Sequence, residues 1–409
     1  MKSAVNACFC NLRSRSRTIY DLYKKERLKY KMDRIYADYA STTPITEHAL
    51  MEMTRCMKDY YGNPSSVHIC GREAARILED ARQRIAKCIG ASSSEIYFTS
   101  GGTEADNQAI LTGAAYGKRN GKRHIIISNA EHHAVLNCAP MLEKEGLEVT
   151  LLPVDRTGRM SVSKLKEAIR EDTCMVCAMS VNNEVGTMAP ITEIGHICKE
   201  RGILFFSDGV AAAGHIDIDV KEQGISMLSL SGHKFGGPRG IGVLYADAKI
   251  PVANLMYGGS QEKTKRPGTQ NVPGIVAMAA ALEDSTSNLD RNIQKVEKLR
   301  KRLLENLREV EGMWINGDPV NNYPGIINLG FEGVSGEALM LLLDLNGICV
   351  STGAACNTES VEPSHVLTAM GLDADRARSC IRISLSGDNT EDEIDIISEA
   401  IITAVDKIR

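Results

Sequence analysis

The chain has 409 residues, of which 43% are hydrophobic and 24% charged, which allows two or three domains or one large α/β unit with a sizeable core. Its formal net charge of -4 gives no general attraction to phosphate backbones or anionic lipids, so direct nucleic-acid or membrane binding is disfavoured and a small-molecule substrate is favoured. The 12 cysteines are scattered and no apolar run approaches the roughly 18 residues of a membrane span, which predicts reduced thiols in a cytoplasmic protein.

Residues 1–34 form a basic N-terminal extension. Residues 1–31 contain nine lysines and arginines but only two acidic residues, Asp21 and Glu26. An acid-poor leader with arginine and serine is one form of an organellar transit peptide. Met32, however, stands just before the first globular-looking segment and is an alternative start. We favour a dispensable extension on a cytoplasmic protein over an organellar targeting signal.

The first predicted helix covers residues 66–90. Its apolar side chains recur at helical spacing, and Gly90 follows the last of them as a helix stop would. These side chains are Ala74, Ile77, Leu78, Ala81, Ile85 and Cys88.

Short apolar runs then alternate with helical segments. The runs cover 96–98, 124–127, 149–152, 175–179, 203–206 and 227–230, and the helical segments include 162–170 and 191–200. This βα alternation predicts an α/β fold with a mostly parallel sheet covered by helices. A charged amphipathic helix over 292–310, with shorter elements after it, indicates a smaller α+β domain. We therefore expect a large domain over 46–285 and a small domain made of 35–45 and 286–409.

Residues that could bind a ligand or a cofactor follow several of the predicted strands. A parallel α/β sheet binds its ligand at the carboxyl ends of its strands, so these positions matter most. Gly102 and Thr103, in the segment TSGGTE (99–104), open a predicted helix, where backbone N–H groups and a hydroxyl make a cradle for a phosphate. An ordinary glycine-rich turn is the alternative interpretation.

His132, Asn183 and Asp208 follow three further strands, where a cofactor ring would lie. An aspartate there keeps a pyridinium nitrogen protonated, a histidine stacks on the ring face, and an asparagine hydrogen-bonds the ring oxygen. Taken singly, each is more often an ordinary polar residue at a strand end.

Lys234 is the decisive residue. It lies in SLSGHKFGGP (229–238), behind small hydroxylated residues and ahead of a glycine pair, with little bulk around its amine. These surroundings suit a lysine that forms a Schiff base with a carbonyl. A solvated loop lysine is the alternative. The phosphate cradle, the histidine, the aspartate and this lysine nevertheless occur in the chain order of pyridoxal 5'-phosphate (PLP) enzymes with the aspartate-aminotransferase fold.

Seven segments together resemble the cysteine desulfurases of the NifS/IscS type, and the match runs from about Ile35 to the C-terminus. They are ADYASTTP (37–44), GNPSS (62–66), TSGGTE (99–104), EH (131–132), VNNEVG (181–186), SGHK (231–234) and STGAAC (351–356). The resemblance implies a fold-type-I PLP enzyme of the class V aminotransferase family, acting as a homodimer on L-cysteine.

The resemblance also implies a role for each matching residue. Lys234 would carry PLP as a Schiff base, Asp208 would pair with the pyridine nitrogen, and His132 would stack on the ring. Asn63 and Arg382 would bind the substrate carboxylate. The remaining cofactor contacts would be Gly102, Thr103, Ser231 and His233 at the phosphate, Asn183 near the ring oxygen, and Thr269, which would reach the phosphate of the neighbouring subunit.

Cys356 is the predicted sulfur carrier. It stands among small and polar residues on a predicted loop, where a thiolate can attack the substrate sulfur and keep it as a persulfide. The acceptor of that sulfur would be an iron–sulfur scaffold or an enzyme that thiolates tRNA or a cofactor. Cys174 and Cys177 have CxxC spacing, but they lie in a predicted strand, so we expect burial and no metal site.

Ala211 departs from the family, which usually carries at this position a glutamine that hydrogen-bonds the ring oxygen. Pro267 and Ala355 are smaller departures. The alternatives to a desulfurase are a selenocysteine lyase and another class V aminotransferase, which would not need a thiol at Cys356. A non-catalytic scaffold is a further alternative, which the retained Lys234 and Cys356 disfavour.

Overall fold

The computed structural model describes residues 34–352 and 363–409. Its strands are β1 Ile35–Tyr36, β2 Ile96–Thr99, β3 His124–Ser128, β4 Glu148–Leu152, β5 Thr173–Cys177, β6 Leu204–Asp208, β7 Met227–Ser231, β8 Gly242–Ala246, β9 Met313–Asn316, β10 Ile326–Phe331, β11 Ile348–Cys349 and β12 Cys380–Ser384. Its helices are α1 Glu47–Asp59, α2 Ile69–Cys88, α3 Gly102–Arg119, α4 His133–Leu136, α5 Ala139–Lys144, α6 Val162–Ala168, α7 Ile191–Glu200, α8 Val272–Ser287, α9 Leu289–Asn306, α10 Gly336–Leu345, α11 His365–Ala369, α12 Ala374–Arg378 and α13 Glu391–Ile408.

Seven strands form one sheet in the order β2-β8-β7-β6-β5-β3-β4. All neighbours are parallel except at β8, which runs antiparallel to β2 and β7. Alternate residues of the buried strand β3 pack into separate apolar clusters, Ile126 into one and Ile125 and Ile127 into the other. Both faces of this sheet are therefore covered, as a mostly parallel sheet requires. The predicted α/β class is confirmed, and the six predicted apolar runs are β2 to β7.

The helix predicted over 66–90 is α2. It begins after His68, whose ring nitrogen accepts the N–H of Gly71, and it ends before Gly90, where φ is +67°. The left-handed backbone at this position favours glycine, and a Cβ there would also lie 2.5 Å from the Asp219 carboxylate, which would have to move. The predicted helix 191–200 coincides with α7.

A second, antiparallel sheet has the order β12-β10-β9 and packs with α9, α10 and α13 around its own apolar cluster. The helix predicted over 292–310 is α9; it ends at Asn306 because the chain turns after Leu307 towards Gly312, where φ is +65°.

Tyr323 and Ile326, from the predicted small domain, pack in a cluster of the large sheet, so the two cores are in contact. The proposed domain limits stay a prediction. Within residues 34–352 and 363–409, no helix is long and apolar enough to span a bilayer.

Candidate active site

A cavity of about 370 Å³ lies where β2, β3, β6 and β7 end at the carboxyl edge of the large sheet. This is the edge where parallel α/β sheets bind ligands. Nine residues predicted from the sequence line it: Gly102, Thr103, His132, Asn183, Asp208, Ser231, His233, Lys234 and Arg382. Ala211 also lines it and offers only a methyl group at that position.

Lys234 enters the cavity from a tight turn. A 3-10 turn covers Gly232–Lys234, and a Cβ on Gly237 would lie 2.8 Å from the carbonyl oxygen of Gly232, so this close return of the chain needs a glycine. The Lys234 Nζ donates to the carbonyl oxygens of Ala40 and Ser41 at 2.7 and 2.9 Å. The amine is thus held between the turn after β7 and the segment after β1.

Asp208 is the last residue of β6 and is 3% exposed. Its Oδ1 accepts the backbone N–H of Val210 at 2.8 Å and the hydroxyl of Ser229 at 3.5 Å. Burial raises the pKa of this carboxyl, while the neighbouring His132 and Lys234 limit the rise. A cation beside it would favour the ionised carboxylate, because an opposite charge at short range offsets the effect of burial on the pKa.

Asp106 is a cavity residue that the sequence interpretation missed. It is 2% exposed, and its Oδ1 has no hydrogen-bond partner among the residues that the structure describes. Burial, followed by the charge of Asp208, holds its pKa well above the usual range. Asp106 lies four residues, one helical turn, after Gly102 on α3. Residues at this spacing share a helix face, so the sequence could have indicated that Asp106 lies on the same side of α3 as the phosphate cradle.

Glu131 is a second buried acid next to the site. Its Oε1 accepts the backbone N–H of Met179 at 2.8 Å, whereas its Oε2 has no partner within the described part of the chain. Burial raises its pKa to about 8, and the charge of Asp208 acts in the same direction. The side chain is therefore neutral at pH 7 and adds no charge beside Asp208.

Replacing Glu131 with glutamine is expected to flatten the pH dependence of stability of the cofactor-free protein. The folded state holds the Glu131 proton up to about pH 8, while an unfolded chain releases it near 4.5, so stability falls as pH rises between these values. The slope from one such group approaches about 1.4 kcal/mol per pH unit. Urea unfolding at pH 5, 6.5 and 8 measures it. Glu143→Gln, at an exposed position, should keep the wild-type slope, and an unchanged slope in Glu131→Gln would contradict the assignment.

His132 precedes α4 and its ring is held by the backbone. The Nδ1 accepts the N–H of Ala134 at 3.1 Å, so any ring proton of the neutral form lies on Nε2. Burial lowers the pKa of His132, with Asp208 opposing that change. The ring is therefore available as a neutral, flat surface in the cavity wall.

The N-terminus of α3 forms the predicted anion cradle. In the described part of the chain no side chain caps this helix, so its first N–H groups face the cavity end uncapped. A Cβ at Gly102 would lie 2.6 Å from Val210 Cγ2, so only glycine lets the helix start approach the β6 turn. His233 contributes a neutral ring, because burial lowers its pKa to about 4.

Arg382 on β12 is 2% exposed and fixed from three sides. Its Nη2 donates to Asp38 Oδ1 at 2.9 Å and to Ser41 Oγ at 2.6 Å, and its Nη1 donates to the carbonyl oxygen of Asn183 at 2.8 Å. Its Nε finds no hydrogen-bond partner among the described residues. A buried guanidinium in the cavity wall suits a carboxylate.

Two predicted residues of the described ranges are not among those that line the cavity. Asn63 is exposed and its Oδ1 accepts the N–H of Ser65 at 2.9 Å, and Thr269 is exposed as well. Their assigned roles stay predictions. Cys356 lies outside the described residues, in 353–362.

The described residues on either side of 353–362 contact the cavity walls. The backbone of Ser351 pairs with that of Arg382 through bonds of 3.1 and 2.6 Å. The hydroxyl of Ser364 donates to Glu184, the neighbour of Asn183. Burial raises the pKa of Glu184 to about 7.

Cys174 and Cys177 are buried in β5, as expected for strand residues. Burial raises the pKa of Cys174 to about 11, which keeps it a thiol. Within 34–352 and 363–409, no group of three histidine, cysteine or acidic side chains has the arrangement of a metal site.

The class-V aminotransferase family model matches residues 35–397. A protein named cysteine desulfurase IscS, from Methanosarcina thermophila, is 44% identical over 384 residues, which are 94% of this chain and 95% of that protein. A solved NifS-like protein superposes with a TM-score of 0.86 at 37% identity, covering 91% of this chain and 100% of that one. SspA, solved in complex with cysteine, superposes with a TM-score of 0.76 at 36% identity, covering 87% of this chain and 99% of that one. The chain belongs to the class-V aminotransferase family and, within it, to the cysteine desulfurases.

Proposed function

We propose that this protein is a PLP-dependent cysteine desulfurase that converts L-cysteine to L-alanine and keeps the sulfur as a persulfide on Cys356. The observation that carries the proposal is the meeting of Lys234, Asp208 and Arg382 in one cavity at the carboxyl edge of the sheet. Relatives that align along almost the whole chain are named for this activity, and one solved relative was studied with cysteine.

The cavity fits PLP in size and in charge. Its volume of about 370 Å³ lies in the range of small-molecule sites. The uncapped start of α3 at Gly102 suits a phosphate, and the buried carboxylate of Asp208 suits a protonated ring nitrogen. Lys234 Nζ would supply the amine for the aldehyde, and Ser231 and His233, which line the same cavity, would be further phosphate contacts.

When bound, PLP supplies an electron sink for bond breaking at the α-carbon of an amino acid. Arg382 would bind the substrate carboxylate from the cavity wall, with Asn183 at its side. Lys234 Nζ would take the proton from the α-carbon, because it is the amine that lines the cavity. The Cys356 thiolate would attack the substrate sulfur; a sulfur–sulfur bond forms, the carbon–sulfur bond breaks with its electron pair going to carbon, and that carbon takes up a proton to give alanine.

The proposal includes a cytoplasmic homodimer and a separate sulfur acceptor, an iron–sulfur scaffold or a thiolation enzyme. Large exposed apolar side chains on α1, in the following segment and at the start of α2 support self-association. They are Leu50, Met51, Met57, Tyr61, Val67 and Ile69. In such a dimer Thr269 would contact the phosphate of the neighbouring subunit.

An absorbance spectrum combined with a product assay tests this function. The purified protein is expected to show an absorption band at the edge of the visible range and to form alanine and sulfide in equal amounts from L-cysteine with a thiol reductant. Selenocysteine is assayed in parallel. Absence of the band, a keto acid as the product, or activity on selenocysteine alone would overturn the proposal, the last two in favour of an aminotransferase or a selenocysteine lyase.

A further inference from the structure

His215 and Tyr323 meet beside the active-site cavity, at a place for which the mechanism above has no use. Both line a smaller hollow of about 20 Å³, which shares Ala40, Ala211 and Lys234 with the main cavity. His215 lies in the turn after β6, and Tyr323 precedes β10. Residues that are far apart in the sequence thus meet next to the backbone of Lys234.

The hydrogen-bond directions in this group are fixed by chemistry. The Nε2 of His215 lies 2.9 Å from the carbonyl oxygen of Lys234, and its Nδ1 lies 3.1 Å from the hydroxyl of Tyr323. A carbonyl oxygen only accepts, so Nε2 must carry the proton. Burial lowers the pKa of His215, so the ring is neutral and its Nδ1 is an acceptor. Tyr323 therefore donates to His215, and His215 donates to Lys234.

This relay belongs to a wider support of the lysine turn. The carbonyl oxygen of His233 accepts from the backbone N–H of Thr43 at 2.8 Å, and that of Phe235 accepts from Ser285 Oγ at 3.2 Å. Three successive carbonyl groups, at residues 233, 234 and 235, are thus held by three different segments. His215 holds the middle one, which belongs to the lysine itself.

We infer that His215 is a positioning residue for Lys234, with Tyr323 fixing the tautomer that His215 needs. The inference rests on the proposed function. Loss of the Nε2–H donor would free the Lys234 carbonyl and let the turn and the amine move. A displacement of about 1 Å at a reacting group can cost about 10²-fold in rate. Substrate affinity should change little, because Arg382 is held by Asp38, Ser41 and Asn183.

The test compares His215→Leu with His215→Gln, since a glutamine Nε2 can still donate to the Lys234 carbonyl whereas leucine cannot. We expect His215→Leu to lower kcat for alanine formation by about 10- to 100-fold with KM changed less than about threefold, and to shift the pH midpoint of the visible absorption band. We expect His215→Gln to recover kcat to within about fivefold of wild type. Tyr323→Phe, which keeps the ring packing, should lower kcat by about 3- to 10-fold.

Two controls isolate the effect. His196→Leu removes a surface histidine whose Nε2 contacts the Glu222 carbonyl oxygen at 3.1 Å, and it should leave kcat and the band unchanged. Tyr245→Phe removes the hydroxyl of a buried tyrosine that contacts Lys221 at 3.1 Å, outside the cavity. Wild-type kcat and an unshifted band in His215→Leu would overturn the inference, as would a glutamine variant no better than the leucine variant. A wild-type protein with no band and no alanine would instead overturn the proposed function.

Discussion

Cys356→Ala is expected to lower alanine and sulfide formation from L-cysteine by about 10³-fold or more. Breaking the carbon–sulfur bond requires a nucleophile at the substrate sulfur, and Cys356 is the thiol that we assign to this step. In the proposed site Lys234, Asp208 and the start of α3 hold the cofactor, so the absorption band and its change on adding cysteine should survive. The loss is therefore confined to sulfur removal.

Mass spectrometry localises the sulfur directly. After brief treatment of the wild type with cysteine, the added sulfur should appear on the peptide that contains Cys356. Cys70→Ala serves as the control, because Cys70 is a partly exposed free cysteine at the start of α2. Persulfide on a different cysteine, or near-normal alanine production by Cys356→Ala, would contradict the role of Cys356. Either result would favour the alternative PLP-dependent activities.

Lys234→Ala is expected to abolish covalent cofactor attachment and to lower turnover by about 10³-fold or more, since the same amine is the proposed base at the α-carbon. Asp208, the α3 cradle and His132 line the cavity independently of the amine, so non-covalent PLP binding should persist. The measurement is borohydride reduction followed by peptide mass spectrometry. The wild type should carry the label on the peptide with Lys234, and the variant should carry none.

A matched control separates this effect from the loss of any lysine. Lys249→Ala changes an exposed lysine in the turn after β8 and should retain label and turnover. A Lys234→Ala protein that still traps the cofactor covalently and turns over cysteine would show that another amine forms the Schiff base and acts as the base.

Glu131→Gln provides an independent check on the site's electrostatics, because its effect on the pH dependence of stability is measured without cofactor.

Strand and helix positions in the large domain were predictable because the required signals are local. Uninterrupted apolar runs of four or five residues mark strands buried on both faces, and β5 and β6 fall on such runs, while the run of β7 is interrupted only by Ser229. The helical segment 191–200 was predicted with its observed limits, since its apolar residues repeat at helical spacing. The reversed strand β8 was not predicted, because strand direction depends on the path of the chain between strands.

In the candidate site, too, some features could be predicted from local sequence and others depend on the tertiary structure. The sequence by itself determined that Asp208, Lys234 and His132 stand at or just after strand ends, because the residues that follow an apolar run are visible in the chain. The strand ends of a parallel sheet share one edge, so these residues were expected to meet there. Only the tertiary structure decided that Asp106 and Glu131 are buried beside Asp208, that Arg382 is clamped by Asp38 and Ser41, and that Tyr323 reaches Lys234 through His215. The burial depends on how the whole chain packs, and the bonds of Arg382 to Asp38 and of Tyr323 to His215 join residues more than 100 positions apart, which no local pattern encodes.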